Sequence, residues 1–203
     1  MDTIKIMLAG VGGQGTILAA KIISEAASEY GCCVKMSEIH GMSQRGGSVV
    51  SHVSFGTRID SPVIDTGSAD YLVAFEKMEA ARQLPYLKDD GLLIVNNMKI
   101  NPMPVLTGTA DYPENILKSI EDAGVTTLVL DAYRQAKELG SIQVQNVILI
   151  GVLAAQLGME QFPWESTIKS LVKPKFVGIN LKAFAVGKNI AGEKALLENL
   201  SKI

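Results

Sequence analysis

The sequence has few of the residues that build disulfide frameworks, metal centres and nucleic-acid surfaces. Its 203 residues include two cysteines and two histidines, and the formal net charge is −2. Cys32 and Cys33 are adjacent, so they form no disulfide framework and fall short of the roughly four thiolates that hold an iron–sulfur cluster. His40 and His52 do not make a zinc site by themselves. The weak net charge and the lack of a Lys/Arg stripe argue against a nucleic-acid partner.

Long uninterrupted apolar segments are also missing. The longest apolar stretch, 144–157, is broken by Gln145, Asn146 and Gln156, and it is shorter than the roughly 20 residues of a membrane span. The first residues have the pattern of a strand, without the charged segment and apolar core of a signal peptide. We therefore expect a cytoplasmic, reduced protein.

The apolar residues that are present, 47% of the chain, are enough for a folded core. Strand-length apolar runs alternate with helical periods up to Gly140, and the pattern afterwards is helical. This alternation predicts one α/β domain over residues 1–203: a three-layer, Rossmann-like fold with a mostly parallel sheet and a helical C-terminal third. The expected strands are 3–9, 33–39, 48–55, 70–75, 91–96 and 126–130. The expected helices are 14–30, 76–84, 131–139, 145–157, 165–172 and 179–200.

Two of these elements carry more specific expectations. Residues 48–55 have the pattern of a strand, with Val49, Ser51, Val53 and Phe55 on one face and Ser48, Val50, His52 and Ser54 on the other, and we expect it to be half exposed. Gly187 and Gly192 interrupt the last helix, so we expect it to kink or divide.

A glycine-rich loop, GVGGQG, follows the first strand and precedes the first helix. Gly10, Gly12 and Gly15 match the G-x-G-x-x-G dinucleotide fingerprint, and the helix start offers free amides to a phosphate. Glu38, near the end of the second strand, is placed to hold a ribose hydroxyl. Two interpretations remain open: a phosphate or nucleotide site, and a turn that closes the fold without a ligand.

A second polar, glycine-rich stretch, SEIHGMSQRGG, ends the second strand. His40, Gln44 and Arg45 can each recognise an anion, and Arg45 can do so with two parallel hydrogen bonds. We expect this stretch and the glycine loop to leave the same edge of the sheet from adjacent strands. The alternative is a solvated loop in which Arg45 pairs with Glu38 or Glu76 and His40 is structural. No G-x-S-x-G elbow supports a serine nucleophile.

These two motifs resemble the gamma-type domain of the 2-oxoacid:ferredoxin oxidoreductases. The S-E-x-H-G-M-x-Q-R-G-G form is most similar to the small (beta) subunit of the indolepyruvate branch, since other branches carry Tyr-Gly-x-Glu-x-Arg-Gly-Gly there. DYLVAFEKMEAAR, residues 70–82, and VKPKFVGINLKAFAVGK, residues 172–188, resemble two further blocks of the family.

The resemblance implies a subunit of an enzyme that oxidatively decarboxylates an aryl or other 2-oxoacid, with coenzyme A as acyl acceptor and ferredoxin as electron acceptor. The family uses thiamine diphosphate and iron–sulfur clusters. This chain has no GDG…N stretch and two cysteines, so those cofactors are expected on a larger partner subunit and the chain is expected to be inactive alone. The alternative is a stand-alone NAD(P)- or FAD-binding Rossmann oxidoreductase.

The family's motifs, carried over to this sequence, give a set of cofactor-binding or interface candidates and no catalytic or metal-binding residue. The set consists of Gly10, Gly12, Gly13, Gln14, Gly15, Glu38, His40, Gln44, Arg45, Gly46 and Gly47. An aromatic-rich group in the C-terminal third is a candidate subunit interface, or else packs the last helices onto the sheet. Its members are Met159, Phe162, Trp164, Phe176 and Phe184.

Overall fold

The structure is a computed structural model, which describes the backbone of residues 1–40 and 47–200 and the side chains of residues 1–39 and 47–192. Within these residues six strands form a sheet with the order β2-β3-β1-β4-β5-β6. The strands are β1 (Ile4–Val11), β2 (Cys33–His40), β3 (Ser48–Gly56), β4 (Ala69–Ala74), β5 (Leu87–Asn96) and β6 (Thr127–Leu130). The six strands predicted from the sequence are thus confirmed, although β1 extends two residues into the glycine loop and β5 begins four residues earlier than predicted.

Strand β3 runs antiparallel to both of its neighbours, β1 and β2, while β4, β5 and β6 continue parallel to β1. The connection from β2 to β3 spans residues 41–47, which is too short for the crossover that parallel neighbours require. The mostly parallel sheet is confirmed. The expectation that β1 and β2 are adjacent is wrong, because β3 lies between them.

Helices cover both faces of the sheet, which confirms the three-layer α/β fold. One apolar core joins the sheet to the first helix and to the helices of the C-terminal third, and a second core lies on the opposite face. The helices are α1 (Thr16–Glu29), α2 (Lys77–Gln83), α3 (Met103–Leu106), α4 (Ile116–Asp122), α5 (Ala132–Glu138), α6 (Gln145–Leu157), α7 (Trp164–Leu171) and α8 (Val177–Leu200). None of the helices in the described part of the chain is long and apolar enough to cross a membrane.

The expectation of a half-exposed β3 is wrong, because both faces of this strand are covered. Residues 49–56 are all buried. Val53 and Phe55 face the core that contains α1, whereas Val50 faces the opposite core. His52 is also buried, and its Nδ1 accepts a hydrogen bond of 3.0 Å from the amide of Ile64. The polar side chains within residues 49–56 of β3 are therefore internal.

Helix α8 is continuous through Gly187 and Gly192, so the expected division does not occur. Gly187 instead lies where α8 crosses α6. A Cβ atom there would stand 2.0 Å from the carbonyl oxygen of Ile148, and one on Gly151 would stand 2.2 Å from that of Phe184. The two glycines permit a close backbone contact between the helices.

The aromatic-rich group of the C-terminal third is largely internal. Four of its members are at least 91% buried, and Phe162 stacks between Tyr30, Phe55 and Trp164 with ring centroids 4.8, 5.7 and 5.6 Å away. The interface interpretation is therefore wrong for Met159, Phe162, Trp164 and Phe184, which pack the helices together. Phe176 alone of the five is exposed, at 41%.

Candidate functional site

The glycine loop joins β1 to α1 at the carboxyl edge of the parallel strands, where ligands bind in open α/β sheets. Gly13 and Gly15 have φ angles of 102° and 82°, in the left-handed region that favours glycine. Gly15 is the N-cap residue of α1 and has no side chain with which to cap it. The amides of the first helical turn can therefore point at an anion.

Gln14 holds this loop to the neighbouring strand. Its Oε1 accepts a hydrogen bond of 2.7 Å from the amide of Val11, and its Nε2 donates one of 3.0 Å to the carbonyl oxygen of Phe75, just beyond β4. The side chain is 8% exposed. Gly10 is required beneath it, because a Cβ atom there would meet Gln14 Oε1 and Thr16 Cγ2 at 2.9 Å. Gln14 thus occupies the crevice between β1 and β4.

Two buried asparagines extend this network. Asn96, at the end of β5, donates to Phe75 O and Gln145 Oε1 at 3.3 and 3.2 Å and accepts from the amide of Ala132 at 3.0 Å. Asn146 donates from Nδ2 to Gly15 O at 3.3 Å. The carboxyl ends of β1, β4, β5 and β6 are therefore linked to the start of α6 by side-chain amides. Sequence reasoning missed this network, although Gln145 and Asn146 were visible as breaks in an apolar segment.

The second polar stretch meets the glycine loop at its far end. The amide of Gly12 donates a hydrogen bond of 2.9 Å to the carbonyl oxygen of Gly47. His40 is the last residue of β2, and its backbone pairs with that of Val49 on β3. Gln44, Arg45 and Gly46 lie outside the described residues. The structure thus brings Gly47 to the loop formed by Gly10, Gly12, Gly13, Gln14 and Gly15.

Glu38 is displaced from the place of a ribose-binding acid. It pairs with Ser51 on β3, and β3 separates it from β1. In a dinucleotide-binding fold the second strand lies beside the first, so the intervening strand moves Glu38 outward by one strand spacing, about 4.8 Å. Together with Gln14 in the crevice, this position does not favour an NAD(P) or FAD site.

A cavity of about 570 Å³ opens on the same edge of the sheet, between Gly47, α2 and the segment that contains α3. Glu79, 4% exposed, accepts a hydrogen bond of 2.5 Å from the Ser48 hydroxyl and forms an ion pair of 3.2 Å with Arg82 Nε. Burial raises the pKa of the Glu79 carboxyl, and the Ser48 hydroxyl and Arg82 partly oppose that rise. Glu79 therefore fixes the first residue of β3, directly after the second polar stretch.

Glu76 ties the wall of this cavity together. Its carboxylate accepts from the amides of Met78, Glu79 and Ile100 at 2.6, 3.1 and 3.1 Å, and from the Tyr112 hydroxyl at 2.5 Å. Burial and the Glu76 carboxylate raise the pKa of Tyr112. From the sequence, Glu76 was expected only as a possible ion-pair partner of Arg45. Its anchoring role depends on contacts with residues 24 and 36 positions away.

The cysteines lie away from this edge of the sheet. Cys33 begins β2 and is exposed, and Cys32 precedes it. Among the described residues no three His, Cys, Asp or Glu side chains are grouped in a way that could hold a metal ion. The candidate site thus consists of backbone amides, buried carboxamides and two buried carboxylates.

The fold and this loop define a class: Rossmann-like α/β proteins in which a glycine loop leads into a helix start with free amides and a side chain fills the dinucleotide crevice. The family model for pyruvate ferredoxin/flavodoxin oxidoreductase matches residues 5–190, and the chain belongs to that family.

Relatives and solved structures agree with this assignment. The chain is 38% identical to the indolepyruvate oxidoreductase subunit IorB of Thermococcus kodakarensis, over 95% of this chain and 98% of the relative. It is 39% identical to the IorB subunit of Pyrococcus horikoshii, with the same coverage. The crystal structure of the keto/oxoacid ferredoxin oxidoreductase gamma subunit from Geobacter sulfurreducens PCA superimposes with a TM-score of 0.69 at 29% identity, covering 93% of this chain and 98% of that one. The relatives are subunits of oxidoreductases, and the stand-alone dinucleotide enzyme is not favoured.

Proposed function

We propose that this chain is the small subunit of an indolepyruvate-type 2-oxoacid:ferredoxin oxidoreductase, with residues 1–203 as one domain. The complex decarboxylates an aryl 2-oxoacid oxidatively, transfers the acyl group to coenzyme A and passes the electrons to ferredoxin. The observation that carries the proposal is the similarity to two IorB subunits over 95% of the chain.

The cofactors of this reaction belong on a larger partner subunit. The chain has two cysteines, adjacent at the start of β2, where an iron–sulfur cluster needs about four thiolates. It also lacks a GDG…N stretch for the metal of thiamine diphosphate. When bound on the partner, thiamine diphosphate supplies the decarboxylation chemistry and the clusters carry the electrons. This chain supplies binding and positioning groups.

The glycine loop is the binding element. Gly12, Gly13 and Gly15 shape the turn, and the Gly12 amide is held by the carbonyl oxygen of Gly47. The amides at the start of α1 bind a phosphate of coenzyme A. Gly10 and Gln14 hold this turn against β4, at the distances given above. Gly47 ends the second stretch at the loop, and Gly46 is assigned to the same element from the sequence motif alone. To His40, Gln44, Arg45 and Glu38 we assign, from the sequence motif alone, recognition of a ligand or of a charged group on the partner.

Removal of one amide tests the loop. Ile17→Pro deletes an N–H in the first turn, where proline is tolerated, while Ile17→Ala keeps it. By calorimetry on the assembled complex, coenzyme A should bind about tenfold more weakly to Ile17→Pro than to Ile17→Ala, as expected for a lost hydrogen bond to a charged group. Equal affinities, or tighter binding of NAD⁺ than of coenzyme A, would contradict the assignment.

Substrate selectivity tests the function as a whole. The chain is co-expressed with its large subunit, and kcat/KM is measured for indolepyruvate, phenylpyruvate, pyruvate, 2-oxoisovalerate and 2-oxoglutarate with ferredoxin as acceptor. The proposal predicts the highest value for an aryl pyruvate. A preference for 2-oxoglutarate or 2-oxoisovalerate would contradict the assignment to the indolepyruvate branch of the family. A complex that oxidises no 2-oxoacid would refute the proposal as a whole.

A further inference from the structure

A groove lies beside the glycine loop, where the start of α1 meets the segment before α6 and the segment before α8. Its volume is about 270 Å³, and Leu18, Asn146, Lys173 and Phe176 are among the residues that line it. We refer to it as the lysine groove. Asn146 connects it directly to the glycine loop, through the hydrogen bond to Gly15 O. Residues 172–180 of the family's C-terminal block form one wall, and the function described above gives them no role.

The charged residues of the groove and of the segments that form its walls are lysines, in a protein whose net charge is −2. Among the described residues that line it there is one lysine and no carboxylate. The wall segments 141–147 and 171–182 contain Lys173, Lys175 and Lys182 and no Asp or Glu. The first turn of α1 adds the partial positive charge of a helix start. The 570 Å³ cavity differs, since Glu76, Glu79, Arg82 and Asp111 line it.

The rim of the groove is also apolar and exposed. Phe176, which lines the groove, is 41% exposed, and the Lys175 ammonium lies 4.9 Å from the centroid of its ring. Aromatic side chains surrounded by charges of one sign are typical of the anchors at which protein partners bind, and the charges select a partner of opposite sign.

We propose that the lysine groove is the docking site for the large subunit, which inserts a segment that carries carboxylates beside an apolar side chain. The apolar side chain packs on Phe176, and the carboxylates pair with Lys173 and with the neighbouring Lys175. This inference rests on the proposed function, since it assigns a surface to the partner that the function requires. A partner in this groove borders the glycine loop through Asn146, so a ligand on the loop lies between the two subunits.

The test compares matched variants on the two sides of the molecule. Lys173→Glu is paired with Lys118→Glu, an exposed lysine of α4 on the opposite face, and Phe176→Ala is paired with Leu106→Ala, an exposed leucine of α3. The dissociation constant of the complex with the large subunit is measured by calorimetry, and a thermal melt of each variant confirms folding. Lys173→Glu and Phe176→Ala should each weaken binding about tenfold, as expected for interface anchors, while the controls stay within about twofold of the unmodified chain.

The dependence of the binding affinity on salt concentration is a second test of the same contact. Affinity of the unmodified chain should fall as ionic strength rises, and Lys173→Glu should flatten that dependence because an attractive charge pair is gone. If the unmodified chain binds tightly and the groove variants bind equally well, or if Leu106→Ala weakens binding instead, the lysine groove is not the docking site. The proposed function would still stand. An unmodified chain that does not bind the large subunit would overturn both.

Discussion

The Gln14 carboxamide uses both its oxygen and its nitrogen in hydrogen bonds. It accepts from Val11 N and donates to Phe75 O in a position that is 8% exposed. Gln14→Glu keeps the shape but replaces the donor by an acceptor, so an oxygen would face the Phe75 carbonyl oxygen. We expect a loss of about 1–3 kcal/mol in the free energy of unfolding, the range for an unsatisfied buried polar group. Urea unfolding measures it, and a Gln14→Glu protein as stable as the unmodified chain would show that the bridge does not form.

Arg45 is the residue whose predicted role depends most on its geometry. A guanidinium offers five donors in a planar fork, and an ammonium does not. At a two-bond anion contact Arg45→Lys should therefore lose nearly as much activity of the assembled complex as Arg45→Ala. Thermal melts of both variants exclude unfolding as the cause. Full activity of Arg45→Lys would make Arg45 a structural ion-pair residue instead.

His52 makes stability depend on pH. Burial lowers its pKa from the ordinary value of 6.5, and its Nδ1 accepts from the Ile64 amide, so the folded state holds the ring neutral. The unfolded chain binds the proton first, so this contribution to stability is complete above about pH 6.5 and is lost as the pH falls below it. His52→Asn offers Oδ1 to the same amide without titrating. The melting temperature of the unmodified chain should fall more steeply than that of His52→Asn between pH 7 and pH 5; parallel slopes would contradict this.

At the scale of elements, the contact between α6 and α8 depends on two glycines. Gly187→Ala would place a Cβ atom only 2.0 Å from the Ile148 carbonyl oxygen if the helices kept their positions. The helices must separate, so we expect a loss of about 1–3 kcal/mol in the free energy of unfolding, despite the better helix propensity of alanine.

Gly192→Ala is the control for that substitution. It lies in the same helix, and no described atom outside the backbone of its own helix stands within 4 Å of the added Cβ. Alanine there should increase stability by up to about 1 kcal/mol, because only helix propensity changes. The two variants, compared by urea unfolding, should therefore move in opposite directions. Equal shifts would mean that α6 and α8 are not in backbone contact at Gly187.

The elements show what a sequence pattern can predict. The apolar periods located all six strands and the helices from α1 to α8 except the short α3 and α4, because period and length depend on local residues. The orientation of β3 was missed, although the seven residues between β2 and β3 already exclude a crossover. The burial of both faces of β3 and the helix contact at Gly187 were missed for another reason. They depend on what packs against those residues, and no local pattern contains that information.

The candidate site was predicted in the same uneven way. GVGGQG and its position at the junction of β1 and α1 follow from sequence alone, although its first two residues belong to β1. The roles of Asn96, Asn146 and Glu76 arise from partners 36, 131 and up to 36 positions away. Gln14 matched a ligand motif, yet its amide bonds to Phe75, 61 positions away. Distant pairings of this kind decide whether a glycine loop is open to a dinucleotide.

At the scale of the whole molecule, the protein has the features of a subunit that positions a ligand for chemistry on another chain. The two cores and the amide network hold the glycine loop and Gly47 together on one edge of the sheet. The lysine groove opens beside them. From these features we expect the chain to bind and orient a ligand, and we expect the redox centres to lie on its partner.

Titration of a fixed amount of the purified large subunit with this chain tests that expectation most directly. The rate of ferredoxin reduction with indolepyruvate and coenzyme A is recorded at each addition. We predict negligible rates for either chain alone and a rate that rises to a plateau at a fixed ratio of the two chains. Full activity of the large subunit without this chain, or NAD(P)-dependent oxidation by this chain alone, would contradict the proposed division of roles.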